Sequence, residues 1–314
     1  MNKINDEIQK NSTVGGGSGG KCVVLDQPLD LSDFDTIYKF IDEIKMKYCN
    51  ADQNDGRRRT IDVLINNAGR NSHGKGTQNL DIMFQSNYLG HFLLTIECIK
   101  QDLITKQSGK IINLSSVMHH FVGPSSSNNR SNSSSDSSYD KLSDPEFWKS
   151  IAYYKDSKAN KDDDGPLPEC YSASKLGAIL FTNELNKRYS NKNSETNNYG
   201  IRSIAVNPGS VASDIWRDFP MFIRYVFKLV YLTTKQGSTT SVAAAVIDDW
   251  PSTNKINNNK NNDNNNNNSN NNNNNVDSVS YLQPYWLPSK DDGSPPFPAQ
   301  GKKISLQRRE KKNI

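Results

Sequence analysis

The feature that most restricts the fold of this 314-residue chain is an alternation of short apolar, β-branched runs with longer helix-period segments. Ile61 to Ile65, Lys110 to Leu114 and Ile201 to Val206 read as buried strands, with a weaker fourth at Cys22 to Leu25. The clearest helical segment carries Phe34, Ile37, Tyr38, Phe40, Ile41 and Ile44 on one stripe, and Ser32-Asp33-Phe34-Asp35 before it reads as a capping box. Strands that alternate with helices imply βαβ crossovers, and hence a parallel sheet with helices on both faces. The expected class is α/β, a doubly wound, Rossmann-like parallel sheet whose ligands bind beyond the C-terminal ends of the strands.

Two segments break the alternation. Residues 124–165 are rich in Ser, Asn and Asp, and residues 252–275 are almost wholly Asn, Lys and Asp. Ordering a backbone costs about 1–2 kcal/mol per residue, which such polar stretches cannot offset by burial. Both are expected to be disordered low-complexity insertions in one domain, whose core spans about 21–250 plus 276–300 and which ends in a basic tail at 301–314. The hydrophobic fraction of 34% reflects these stretches rather than a polar core.

Charge and cysteine usage exclude several classes. With 38 basic against 34 acidic side chains, the one basic cluster is Arg308, Arg309, Lys311 and Lys312, read as a solvated tail and not a nucleic-acid surface. Cys22, Cys49, Cys98 and Cys170 form no Cys-x-x-Cys pair, so reduced thiols in the cytoplasm and no metal site are expected. No stretch approaches the ~18 apolar residues of a spanning helix, so no integral membrane span is expected. Phe219 to Leu232, interrupted by Arg224 and Lys228, reads as a lid or buried amphipathic helix in preference to a membrane-surface element.

The strongest chemical signal is Tyr171-Ser172-Ala173-Ser174-Lys175 at the start of a helical segment containing Leu176, Ile179, Leu180 and Leu185. Four residues make about one turn, so Tyr171 and Lys175 share a face, where an ammonium would favour phenolate over phenol. A tyrosine tuned from its ordinary pKa of about 10 can exchange a proton with an alcohol near neutrality. The same spacing also suits an exposed Tyr and Lys at an ordinary helix start.

Four further blocks occur with this pair: Leu64-Ile65-Asn66-Asn67-Ala68-Gly69, Gln85-Ser86-Asn87-Tyr88-Leu89-Gly90-His91-Phe92, Ile111-Ile112-Asn113-Leu114-Ser115-Ser116, and Asn207-Pro208-Gly209-Ser210-Val211-Ala212-Ser213. Each alone is ordinary turn or strand-end sequence, but in this order they resemble the short-chain dehydrogenase/reductase family, over Leu25 to about Val246. Gly90 to Thr95 and Lys175 to Leu185 are similar to its retinol-dehydrogenase-like branch. The resemblance implies hydride transfer between a nicotinamide cofactor and a lipophilic alcohol or carbonyl, retinol-like, steroid-like or xenobiotic. It implies that Ser116 holds the substrate oxygen, Tyr171 exchanges its proton, Lys175 tunes the tyrosine and binds the nicotinamide ribose, and Asn87 holds a relay water. Cofactor contacts carried over are Asp30, Leu31, Asn67, Ala68, Gly69, Pro208, Gly209, Val211 and Ser213, together with Tyr171 and Lys175. NAD and NADP are not distinguished, and a homodimer is among the implied assemblies.

The family's glycine-rich turn between a first strand and a first helix, which holds the cofactor pyrophosphate, has no counterpart here. The cluster Gly15-Gly16-Gly17-Ser18-Gly19-Gly20 follows no apolar strand and reads as a linker. The domain is accordingly expected to be N-terminally incomplete, lacking the first strand, first helix and second strand. An inactive scaffold or interaction protein is therefore the competing reading. His119, His120 and His91 are read as pocket rim, surface or packing residues, and not as ligands.

Overall fold

The computed structural model describes residues 22–49, 58–72, 74–122, 144–154, 169–190, 199–217, 219–247 and 281–282, the last pair as backbone. Strands β1 (Val63–Asn66), β2 (Lys110–Leu114), β3 (Arg202–Val206) and β4 (Tyr281–Leu282) form one sheet in the order β1-β2-β3-β4. All three pairings are parallel, and the register places Ile65 beside Ile112 and Ile112 beside Ile204. This is the Rossmann-like arrangement anticipated from the alternating pattern. Among the described residues each successive strand steps to the same side, so these strands show one half of the winding.

Helices cover both faces. On one face α1 (Phe34–Tyr48), α3 (Gly90–Lys100) and α5 (Glu169–Tyr189) enclose a core of Ile37, Ile41, Leu94, Cys98, Phe181 and Ile111. On the other, Ala244 of α7 (Thr234–Val246) packs on Ile112, Ile204 and Val206. Adjacent residues of a strand point to opposite faces, so Ile111 and Ile112 serve different cores. At the edge strand β1, Ile65 stays 41% exposed, because α7 reaches only the β2–β3 side of its face.

Lys110, the first residue of β2, is buried and its Nζ donates to the carbonyls of Ala245 and Ile247, both at 2.9 Å. Cations are favoured at a helix C-terminus, where carbonyls lack intrahelical partners.

A short helix α2 (Ile82–Phe84) runs through a π-helical turn, Gln85–Leu89, into α3. At its exit Gly90 lies against the main chain of Leu31, where an added Cβ would sit 2.3 Å from the Leu31 carbonyl oxygen. Only glycine permits that approach, and it fixes the turn at Asp30 to Asp33 against the core.

Four sequence expectations are corrected. Cys22 to Leu25 is not a strand: it has no extended ladder conformation, Val23 and Val24 are exposed, and the following N–H groups of Asp26 and Gln27 donate to the Glu43 carboxylate at 2.9 and 2.7 Å. A β-branched run without a partner strand has no ladder to join. The cap of α1 is Asp33, which accepts from Asp35 N at 3.1 Å, while the Ser32 hydroxyl donates to Asp30 at 2.6 Å.

The interval 124–165 is not wholly an insertion, since helix α4 (Pro145–Ala152) lies within it. Asp144 caps it, Pro145 opens it, and Phe147, Trp148 and Ile151 form a stripe packed near Met83, Phe84 and Tyr171. The remainder of that interval, 252–275, 301–314 and Gly15 to Gly20 lie outside the described residues. Finally, Phe219 to Leu232 contains helix α6 (Met221–Val230), none of whose residues is buried.

Candidate active site

The candidate residues come from the C-terminal ends of the strands and the helices that follow. β2 ends at Leu114, where Ser115 N donates to the Val206 carbonyl at 2.8 Å and Ser115 Oγ donates to the Lys175 carbonyl at 2.9 Å. These bonds tie the strand end to β3 and α5. Ser116 follows in extended conformation and caps the 3₁₀ turn Val117–Phe121, its Oγ accepting from Met118 N at 3.3 Å.

Tyr171 and Lys175 stand one turn apart in α5, both buried. Ser116 lies near enough to the Tyr171 phenol to favour its charged form. Lys175 Nζ lies 5.5 Å from the Tyr171 ring centroid and donates to the Leu114 carbonyl at 3.0 Å. Ser116, Tyr171 and Lys175 are thus brought together.

The electrostatics differ from the expected acidified phenol. Burial pushes the Tyr171 phenol up to about 12, with Ser116 opposing. Burial likewise pulls the Lys175 ammonium down to about 8. Loss of water penalises both charged forms, and the amine spends its hydrogen bond on a main-chain carbonyl rather than on the phenol. At neutral pH the phenol is therefore uncharged.

Asn87 lies in the π-helical turn and is buried. Its side chain clasps the main chain of Arg70, Oδ1 accepting from Arg70 N at 2.8 Å and Nδ2 donating to Arg70 O at 2.9 Å. Between them lies Gly69, where an added Cβ would be 3.5 Å from Asn87 Oδ1 and 3.9 Å from Lys175 Nζ. A side chain there would fill the space above the lysine. Asn67, Ala68 and Gly69 are exposed beyond the end of β1, placing their backbone at the crevice.

At the end of β3, Gly209 has φ 80°, a left-handed conformation that favours glycine, and its N–H donates to Asn207 Oδ1 at 3.0 Å. Val211 and Ser213 follow. The Val211 carbonyl accepts from Trp216 Nε1 at 2.8 Å, and Ala212 N donates to Leu232 O at 2.8 Å. Asp30 lies apart from the dyad, exposed, with Oδ1 committed to Ser32 N and Oγ. Leu31 contributes its side chain to the core.

Several features had no part in the sequence reading. Tyr171 sits among Met118, Phe147, Trp148, Ile151 and Ile215, an apolar shell drawn from three separate elements. His119 is buried, not surface, and its Nδ1 pairs with the Ser116 carbonyl at 2.5 Å. Buried His91 pairs through Nδ1 with the Asn87 carbonyl at 3.1 Å, and burial chiefly pulls its pKa down to about 4. Asn66 and Asn113, quoted only as motif letters, prove to be buried hydrogen-bonding residues beneath the site. Among the described residues no group of three or more His, Cys, Asp or Glu could hold a metal ion.

A family model described as short chain dehydrogenase matches residues 17–128. Retinol dehydrogenase 12 of Mus musculus is 28% identical over 234 residues, covering 72% of this chain and 58% of its own length. Retinol dehydrogenase 11 of Homo sapiens is 27% identical over 233 residues, at 73% and 58%. Polyprenol dehydrogenase of Homo sapiens is 26% identical over 226 residues, at 69% and 55%. The chain therefore spans less than three fifths of the length of these relatives.

Proposed function

We propose, from the premise that this chain belongs to the short chain dehydrogenases and is retinol-dehydrogenase-like, that it interconverts a lipophilic alcohol and the corresponding carbonyl with NAD or NADP. The observation that carries the reading is the buried pair one helical turn apart, with Lys175 Nζ 5.5 Å from the centroid of the Tyr171 ring. The relatives' names give retinol and polyprenol as alcohols, and the apolar shell around Tyr171 suits a substrate of that character.

The residues at the nicotinamide end fit such a cofactor. Gly69 leaves room beside Lys175, and the left-handed turn at Gly209 bends the chain back at the strand end. Lys175, Tyr171, the Asn67-Ala68-Gly69 backbone and Pro208, Gly209, Val211 and Ser213 would hold it there, with Asp30 and Leu31 toward the adenine. When bound, the nicotinamide supplies or accepts the hydride.

Ser116 then orients the substrate oxygen through its hydroxyl. Tyr171, neutral because it is buried, gives its proton to that oxygen, or in the reverse direction receives one. Lys175, whose pKa of about 8 leaves it charged at neutral pH, offsets the negative charge that proton transfer leaves on the phenol. Asn87 serves that transfer by holding a water, and a cavity of about 10 Å³ lined by Asn66, Asn87, His91 and Asn113 has about the room one water needs.

Nicotinamide absorbance with retinol or a long-chain aldehyde tests the reading. Turnover by the wild type that falls about 10²–10⁴-fold in Tyr171→Phe, with nucleotide binding retained, is expected. Failure of the chain to bind NADH or NADPH by nicotinamide fluorescence would leave the scaffold reading in its place.

A further inference from the structure

Among the described residues, helix α6 presents a prominent exposed apolar face. Met221, Phe222, Tyr225, Leu229 and Val230 are each 65–83% exposed, with Val226 at 50% between them. These positions recur at helical spacing and share one side of the helix. The opposite side is anchored, since Phe227 packs 4.9 Å from Trp216 and stacks 4.6 Å from Tyr231, while Phe219 lies 5.4 Å from Trp216. The exposed face is therefore held outward by an aromatic base.

Charge selects the occupant. Arg224 and Lys228 flank the apolar face and Lys235 follows shortly after, while no Asp or Glu occurs from Phe219 to Ile247. A second copy docking face to face would bring these cations against their own counterparts with no carboxylate on the helix itself to offset them. A lid closing over the crevice would turn its apolar side inward, whereas the Trp216 cluster turns it out. No helix among the described residues is long and apolar enough to cross a membrane, and α6 itself has 10 residues. An apolar face bordered by cations on a short helix is the pattern of an element lying in a lipid interface.

We infer that α6 is a membrane-docking element that inserts Phe222, Tyr225 and Leu229 into an anionic lipid surface, with Arg224 and Lys228 at the headgroups. This placement reverses the preference drawn from the sequence, which favoured a lid or buried amphipathic helix over a membrane-surface element. Docking does not depend on the enzymatic reading, and turnover and lipid binding are measured separately.

The test is co-sedimentation of the full chain with vesicles of phosphatidylcholine alone or mixed with phosphatidylserine, at low and high salt. Binding is expected to favour the anionic vesicles, to weaken with salt, and to fall about tenfold or more in Phe222→Asp/Leu229→Asp at an unchanged melting temperature. Arg224→Gln/Lys228→Gln should weaken only the anionic preference. Binding that survives both variants would belong to the basic C-terminus and overturn the proposal. So would absence of vesicle binding, or a wild-type dimer in solution that the aspartate pair converts to a monomer.

Discussion

Asn66 and Asn113, register partners on adjacent parallel strands, join side chain to side chain, Nδ2 of Asn66 donating to Oδ1 of Asn113 over 2.8 Å. The chain of bonds continues outward from both. Asn66 Nδ2 also donates to Thr95 Oγ1 at 2.9 Å, and Asn113 Nδ2 donates to Thr182 Oγ1 at 2.9 Å and Ser203 Oγ at 3.2 Å. One buried polar network thus ties α3, β1, β2, α5 and β3 directly below the strand ends that carry the candidate site.

Removing its centre strands several partners at once. Asn113→Ala should destabilise the chain by about 2–4 kcal/mol, since each buried polar group left unpaired costs about 1–3 kcal/mol. Chemical denaturation measures this, and a loss below about 1 kcal/mol would mean that the network is solvated or readily rearranged.

The asparagines also mark where sequence reasoning stops. β2 and β3 were legible because Ile111, Ile112, Ile204 and Val206 are β-branched residues buried on both faces of a parallel sheet. Cys22 to Leu25 has the same local character and is no strand, because pairing is a property of two segments and periodicity describes one. Tyr171 and Lys175 were legible as a helical pair, but the direction of their pKa shifts was not, since burial is set by the surrounding elements. α4 was hidden by its polar flanks, although Asp144-Pro145 is a helix-start signal and Phe147, Trp148 and Ile151 supply an apolar stripe. Asn66 and Asn113 could have been suspected as polar residues inside apolar strands, which require partners.

Acid should unfold the protein partly through His91. Its folded pKa of about 4 lies below the usual 6.5, so the unfolded state binds more protons between those values. Stability is therefore present above about pH 6.5 and lost as pH falls toward 4, by about 3 kcal/mol at the limit. Melting curves across this range should be flatter for His91→Asn than for wild type, and parallel curves would show that the imidazole is not held neutral.

Lys175 gives a signature of the same sign, at alkaline pH. Its folded pKa of about 8 lies below the model-compound 10.5, so stability should rise as pH climbs from about 8, until ionisation of tyrosines in the unfolded state opposes it. Lys175→Met should abolish the rise. Equal alkaline slopes in both proteins would indicate a solvated ammonium.

The buried Lys110 bears on how this chain tolerates its long asparagine tract. By holding the carbonyls of Ala245 and Ile247, it secures one end of the connection before the tract begins, and parallel pairing with Ala205 secures Tyr281 beyond it. A tether fixed at both ends transmits little of its own length, because closure entropy grows only with the logarithm of residue number. Lengthening or shortening the tract between those anchors should therefore cost little at the candidate site around Tyr171.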